Sequence, residues 1–272
     1  MGNRRIGRKR LESVLKQLNA TNNSDTGSRS GLDGFQMPAF EIQPSKYFGF
    51  FDDFLAVNGN VGLAVDGDMA QATAINYGVW TAVVDGTIKL DNSFTGGVVR
   101  FTGQTTDDDV SFLTALNSGF ALDASSPRKV WFETRLKMSD ATDSGMFVGL
   151  ASDGSGAADA TILDAAGALA DGIGWQILDG QAAVTLASIT AKNDAETVVQ
   201  SSTSIVAATW INLSFHLDGT SAHFYINGTL SHSSTLTLPN DGTVIFPHLA
   251  FTQKDGDNDQ MDVDYVRICQ ER

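Results

Sequence analysis

The sequence predicts an all-β sandwich carried behind a short basic helical arm. Three observations lead there. From residue 46 onward, short runs of alternating apolar and polar residues are divided by Gly, Asp, Asn and Ser clusters, as strands divided by turns are. Outside residues 4–19, no segment keeps the spacing of one helical face over a useful length. The charge is also divided: residues 1–30 hold seven Lys or Arg and two acidic residues, while residues 31–272 hold 11 basic and 30 acidic ones. A net +5 therefore precedes a net −19, within a total of −14. That asymmetry marks a basic tail on an acidic body.

Residues 1–19 are read as the arm, 20–45 as a linker and 46–272 as the sandwich. In RRIGRKRLESVLKQLN (4–19), Leu11, Val14, Leu15 and Leu18 fall at i, i+3, i+4 and i+7, and Asn19 suits a helix end. A helix this short is marginal alone in water, so its apolar stripe needs a partner surface. Arg4, Arg5, Arg8, Lys9 and Arg10 direct it to an acidic one. No aromatic residue interleaves them, which argues against nucleic acid; a solvated tail is the plainer alternative. Residues 20–34, ATNNSDTGSRSGLDG, have linker composition.

Within the body, the run Lys129 to Met138 alternates most clearly. Val130, Phe132, Thr134, Leu136 and Met138 share one side; Trp131, Glu133, Arg135 and Lys137 share the other. Further strands are expected at Gly145 to Ala151, Gly172 to Leu178, Val244 to Phe251 and Met261 to Ile268. Trp210 to Ile226 reads as a hairpin turning at Asp218-Gly219, which sets His216 opposite His223. The Ala-rich piece from Ala157 to Ala170 suits an excursion loop.

Five segments then carry a resemblance: FFDDF (Phe50 to Phe54), VWFETRLKM (Val130 to Met138), FVGLAS (Phe147 to Ser152), TWINLSFHLDGTSAHFYING (Thr209 to Gly228) and HLAFTQKDGDNDQMDVDYVRI (His248 to Ile268). In this order they resemble the concanavalin A-like lectin/glucanase jelly roll, especially the versions in virion proteins of tailed phages. The opening MGNRRIGRKRLE also resembles the start of virion structural proteins of marine podophages. The resemblance implies a capsid decoration (cement or knob) subunit made in a host cytoplasm and placed on the capsid surface. Its arm (Arg4, Arg5, Arg8, Lys9, Arg10, Leu11, Val14, Leu15, Leu18) would grip the major capsid protein or another virion protein. A small symmetric homo-oligomer is the expected assembly.

The glucanase branch of the resembled family uses a strand-borne E-x-D-x-x-E, because glycosidic cleavage needs two nearby carboxylates. The chain has five Glu and no such pattern, so no catalytic residue is assigned. Glu133 and Arg135 are same-face neighbours and read as an ion pair. Trp80, Trp131, Trp175 and Trp210 offer faces that stack on sugars; Trp131 is preferred because it shares its side with Glu133 and Arg135, and these three form the candidate glycan contact. Asp262 and Asp264 are again i, i+2 and read as a strand face or turn. Asp255, Asp257 and Asp259 alternate as the first ligands of a calcium loop do, although Gln260 stands where an EF-hand needs Gly and Val266 where it needs Glu; calcium is the cofactor this pattern would take. His216 facing His223 lacks a third metal ligand nearby in sequence. The single cysteine, Cys269, reads as a half-buried strand residue. No apolar run reaches membrane-spanning length, no secretory core follows the basic start, and Ile6 spoils a myristoylation signal; no membrane partner is expected. The leading expectation is a non-enzymatic virion protein. A carbohydrate-binding module for adhesion to host glycans stands second, and a glycan hydrolase or lyase third.

Overall fold

The computed structural model describes residues 45–54, 75–77, 80–84, 87–90, 97–103, 109–116, 118–123, 128–140, 142, 144–152, 169–177, 185–253 and 259–272. The arm, nearly all of the linker and most of the Ala-rich piece lie outside them. The described residues form β1 (Tyr47–Asp52), β2 (Ile75–Tyr77), β3 (Trp80–Val84), β4 (Thr87–Leu90), β5 (Val99–Thr102) and β6 (Asp109–Thr114). They continue with β7 (Phe120–Asp123), β8 (Val130–Met138), β9 (Ser144–Ala151), β10 (Gly172–Ile177), β11 (Thr185–Lys192) and β12 (Ala195–Ser204). The last five are β13 (Ile211–Leu217), β14 (Ala222–Ile226), β15 (Thr229–Ser234), β16 (Asp241–Gln253) and β17 (Gln260–Glu271). Each strand of the sequence reading is found, with ends shifted by a few residues.

Two antiparallel sheets face each other. One has eight strands in the order β15-β14-β13-β8-β17-β5-β4, with β1 also on β17; the other has nine, β12-β11-β10-β9-β16-β6-β3-β2, with β7 also on β16. The two longest strands each serve two short neighbours along one edge. Gln260 to Val263 of β17 pair with β5 while Val266 to Glu271 pair with β1. The β16 strand divides its edge between β6 and β7 in the same way.

The inner faces meet in one apolar core. On β8 and β13, Phe132 and Phe215 stack with centroids 4.9 Å apart and planes within 4°. Trp175 of β10 reaches across the gap: its ring meets Phe224 edge-on at 5.4 Å, and its Nε1 donates to the Ser214 carbonyl at 3.1 Å. A buried indole N–H needs such an acceptor. At one end, Trp80 lies among Phe50 and Phe54 and donates to Asp52 at 2.7 Å. The hairpin closes as expected through a two-residue loop: Asp218 N–H donates to the Ser221 carbonyl at 3.0 Å, and Gly219 takes φ 85°, the left-handed conformation a tight hairpin turn demands.

Candidate functional site

The outer face of the eight-stranded sheet gathers the chemistry. Side chains directly opposite each other in antiparallel pairs share a face, and the register places Ser233, His223, His216, Trp131, Cys269 and Gly49 in one row across six strands. Three of these rings form a stack: Trp131 on His216 at 4.9 Å and 13°, and His216 on His223 at 5.9 Å and 23°. Tyr47 meets Trp131 edge-on at 6.1 Å. Trp131 is therefore on the face that alternation assigns, but only 8% exposed; Tyr47, His216 and His223 present more surface. Cys269 is wholly buried against Trp131 rather than half-buried.

The next rows are charged. Glu133 lies opposite Ser214 on one side and Arg267 on the other; Arg135 lies opposite Asn212 and Tyr265. The expected Glu133–Arg135 ion pair is corrected here. Arg135 instead bonds Asp264 at 3.0 Å, and Glu133 accepts a hydrogen bond from the Tyr265 hydroxyl at 3.0 Å. Asp262 is bound through both oxygens by Arg100, at 2.6 and 2.8 Å, and by Lys137 at 3.2 Å. Arg135 and Lys137 both lie over the Trp210 ring, 4.8 and 5.1 Å from its centre, within cation–π range.

Sequence reasoning missed Tyr265, Arg267 and Arg100. Strict alternation along β17 puts Tyr265 and Arg267 on the side opposite Asp262. A register shift between Val263 and Tyr265 inserts Asp264 as an extra residue, and such a bulge returns the following odd-numbered side chains to the face of Asp262. No turn signal announces it; the apolar Val266 and Ile268, both buried in the core, were the available clue. Trp210, one of the four tryptophans able to stack on a sugar, precedes β13 and meets the face through Arg135 and Lys137.

Burial sets the protonation of this face. Desolvation raises the Glu133 pKa, partly offset by the Tyr265 hydrogen bond and Arg267. Tyr265 is pushed well up by burial and by the nearby Glu133 charge. His216 falls to about 4, chiefly by burial, with Asp218 opposing and His223 and Lys129 assisting. The facing histidines are thus a ring stack with His216 held neutral. Among the described residues, no three His, Cys, Asp or Glu side chains gather as a metal site.

Asp255 and Asp257 lie outside the described residues. Asp259 is 8% exposed, and its carboxylate receives the hydroxyls of Ser139 and Ser144 at 3.2 and 3.0 Å, so this aspartate ties two strands together.

The outer face of the nine-stranded sheet has a different character. Val110, Phe112, Phe147, Ala151, Leu169, Ile189, Ala191 and Ala250 form a second buried apolar cluster there. The outward row of β10 is Gly172, Gly174 and Gln176, without a carboxylate. Beside it, His248 is fully buried, bonded through Nδ1 to the Thr114 hydroxyl at 2.7 Å, and lowered to about 3 by burial.

The family model for the SO2946-like, C-terminal domain matches residues 95–253. The chain belongs to that family. The matched span begins just before β5 and ends with β16, so in this SO2946-like sandwich it includes β8 and β13 of the polar face but not β17. No curated protein matches the sequence. Among solved structures, a protein of unknown function, SO2946 from Shewanella oneidensis MR-1, is similar at 17% identity and TM-score 0.50, over 88% of this chain and 95% of that one. A Bacteroides ovatus mixed-linkage glucan GH16 protein in complex with its product is similar at 12% identity and TM-score 0.54, over 80% and 99%. The Emp46p carbohydrate recognition domain, in a potassium-bound form, is similar at 10% identity and TM-score 0.50, over 70% and 88%.

At these identities the likeness is one of fold: a concanavalin A-like, glucanase-like jelly roll. It nevertheless overturns the leading expectation. The fold's company is glycan-cleaving and glycan-recognising proteins, and nothing in it points to a virion decoration subunit or sets enzymatic activity aside. The virion expectation rests on the basic start and a short resemblance at residues 1–12, which lie outside the described residues.

Proposed function

We propose that this protein binds a carbohydrate chain on the outer face of its eight-stranded sheet. The observation that carries the reading is the mixture on that face: Tyr47, Trp210 and Tyr225 are partly exposed beside Arg135, Asp264 and Glu133. A pyranose presents flat C–H surfaces and pairs of hydroxyls. Aromatic faces with a polar tip match the first, and ionised groups that offer two hydrogen-bonding atoms match the second. Trp131 and Glu133, each only 8% exposed, act from beneath, Trp131 supporting the His216 and Tyr47 rings and Glu133 holding the Tyr265 hydroxyl, while Arg135 reaches hydroxyls directly. The fold shared with a glucan-bound GH16 protein and a carbohydrate recognition domain supports the same reading.

Titration calorimetry against a panel of polysaccharides tests it. One or more should bind, and Trp210→Ala should weaken binding about tenfold, the loss of roughly 1.4 kcal/mol of stacking and cation support. An empty panel, or an unchanged affinity in the variant, removes the proposal. A second reading, cleavage of the bound glycan, is favoured by one feature: burial holds the Glu133 carboxyl above its usual range, as a proton donor requires. Reducing ends released by the wild type and not by Glu133→Gln, with binding retained, would support it.

A further inference from the structure

The distribution of cations over the body names the ligand class of this face, an inference that rests on the carbohydrate reading. Residues 31–272 hold 11 basic side chains against 30 acidic ones. Six of the 11 stand on the outer rows of the eight-stranded sheet or at its rim: Lys89, Arg100, Lys129, Arg135, Lys137 and Arg267. Lys89 lies opposite Arg100 in the β4–β5 ladder, and Arg100 lies opposite Asp262. Lys137 of β8 lies opposite Asp262 on its other side, Arg267 of β17 lies opposite Glu133, and Lys129 and Asp218 both act on His216, the first disfavouring its protonation and the second favouring it. Five carboxylates share these rows or their rim among the described residues: Glu133, Asp218, Asp262, Asp264 and Glu271. Six cations against five carboxylates leave this face at net +1, on a body of net −19.

Scattered at random, 11 cations among 30 acids would give nearly every face a negative balance. The concentration has a physical consequence. Cations on one sheet face attract a polyanion where the rest of the surface repels it. Arg135 and Lys137 are also held against the Trp210 ring, which fixes two positive groups beside an aromatic surface. An acidic sugar needs that pair of features: a ring to lie on and a cation for its carboxylate or sulfate.

We propose that the glycan bound on this face is anionic, a uronate-bearing or sulfated polysaccharide, and that Arg135, Lys137 and Arg267 bind its acidic groups. Nucleic acid is the rival polyanion. The −19 body opposes its long, dense charge more strongly than that of a chain with one charge per sugar.

The test is affinity electrophoresis of the full chain through gels containing alginate, heparin, the neutral β-glucan laminarin, or a DNA duplex. Because the N-terminal segment is itself basic, two variants are compared. One is Arg4→Gln/Arg5→Gln/Arg8→Gln/Lys9→Gln/Arg10→Gln; the other is Arg135→Gln/Lys137→Gln, with far-ultraviolet circular dichroism to confirm its fold. Arg267→Gln serves as an independent single change should the double variant unfold. The proposal expects retention by alginate or heparin, kept in the N-terminal variant, weakened about tenfold in either face variant, and weakened again as salt rises from 0.05 to about 0.5 M. Retention lost with the N-terminal variant instead, unchanged in both face variants, or given only by the DNA overturns it. Binding to laminarin alone overturns the anionic class while leaving the carbohydrate reading intact; binding to none of the glycans overturns both.

Discussion

The outward row of β8 reads Trp131, Glu133, Arg135 and Lys137, while that of β9 reads Gly145, Phe147, Gly149 and Ala151. Both rows point away from the core between the sheets. The first meets cations, carboxylates and partly exposed rings, whereas every residue of the second is buried, Phe147 and Ala151 within a further apolar cluster. The contrast separates two uses of a sheet face. On the nine-stranded sheet, burial on both sides gives rigidity: Gly149 and Gly174 let β9 and β10 close on each other, since a Cβ on Gly149 would come within 2.3 Å of the Ile173 carbonyl oxygen. On the eight-stranded sheet, one side is left for recognition, and ion pairs hold its side chains in place.

This contrast can be broken experimentally, and the largest effect should come from the covered face. Gly149→Val asks a branched side chain to displace backbone, and should cost more than about 3 kcal/mol in urea unfolding, or prevent folding. Phe147→Ala, which empties part of the second apolar layer, should cost about 3–5 kcal/mol. If either variant proves near-neutral, the nine-stranded sheet is not the rigid half.

The histidines give the next effect, and they divide between the faces. His248 is lowered to about 3 and His216 to about 4, both chiefly by burial. The unfolded chain therefore binds protons that the folded chain refuses. Their contribution is complete above about pH 6.5 and is lost as pH falls, at up to about 1.4 kcal/mol per pH unit for each histidine. Urea unfolding at pH 7, 6 and 5 should show that slope, and His248→Gln should flatten it. An unchanged slope in that variant would mean that His248 is reached by water. The smallest stability effect belongs to the polar face: Arg135, whose side chain is 43% exposed, should lose under about 1 kcal/mol on change to Ala, while its ligand affinity drops.

The same contrast decides what was legible in the sequence. Period-2 patterning exposed β8, β13 and β14 because one of their sides is polar, and it set His216 against His223 correctly. For SGMFVGLA and GIGWQI, where both sides are buried, the strands could be recognised but not their faces, since a continuous apolar run carries no alternation. At the site, Trp131, Glu133 and Arg135 were legible as one face. Their partners were not, because the β17 bulge at Asp264 reverses the pattern and because Arg100, Asp262 and Lys137 meet only through the sheet order. The function was not legible, because the N-terminal resemblance concerns residues outside the sandwich, and the sandwich does not support the virion role it implies.

The most direct test of the central claim maps the ligand onto one of the two faces. Hydroxyl-radical footprinting with mass spectrometry, with and without a bound polysaccharide, reads side-chain exposure residue by residue. Protection at Tyr47, Phe51, Trp210 and Tyr225, with none at the exposed Leu116, Val198 and Val244 of the nine-stranded sheet and its edges, is the predicted result. Protection of the second group with the first unchanged would contradict the account.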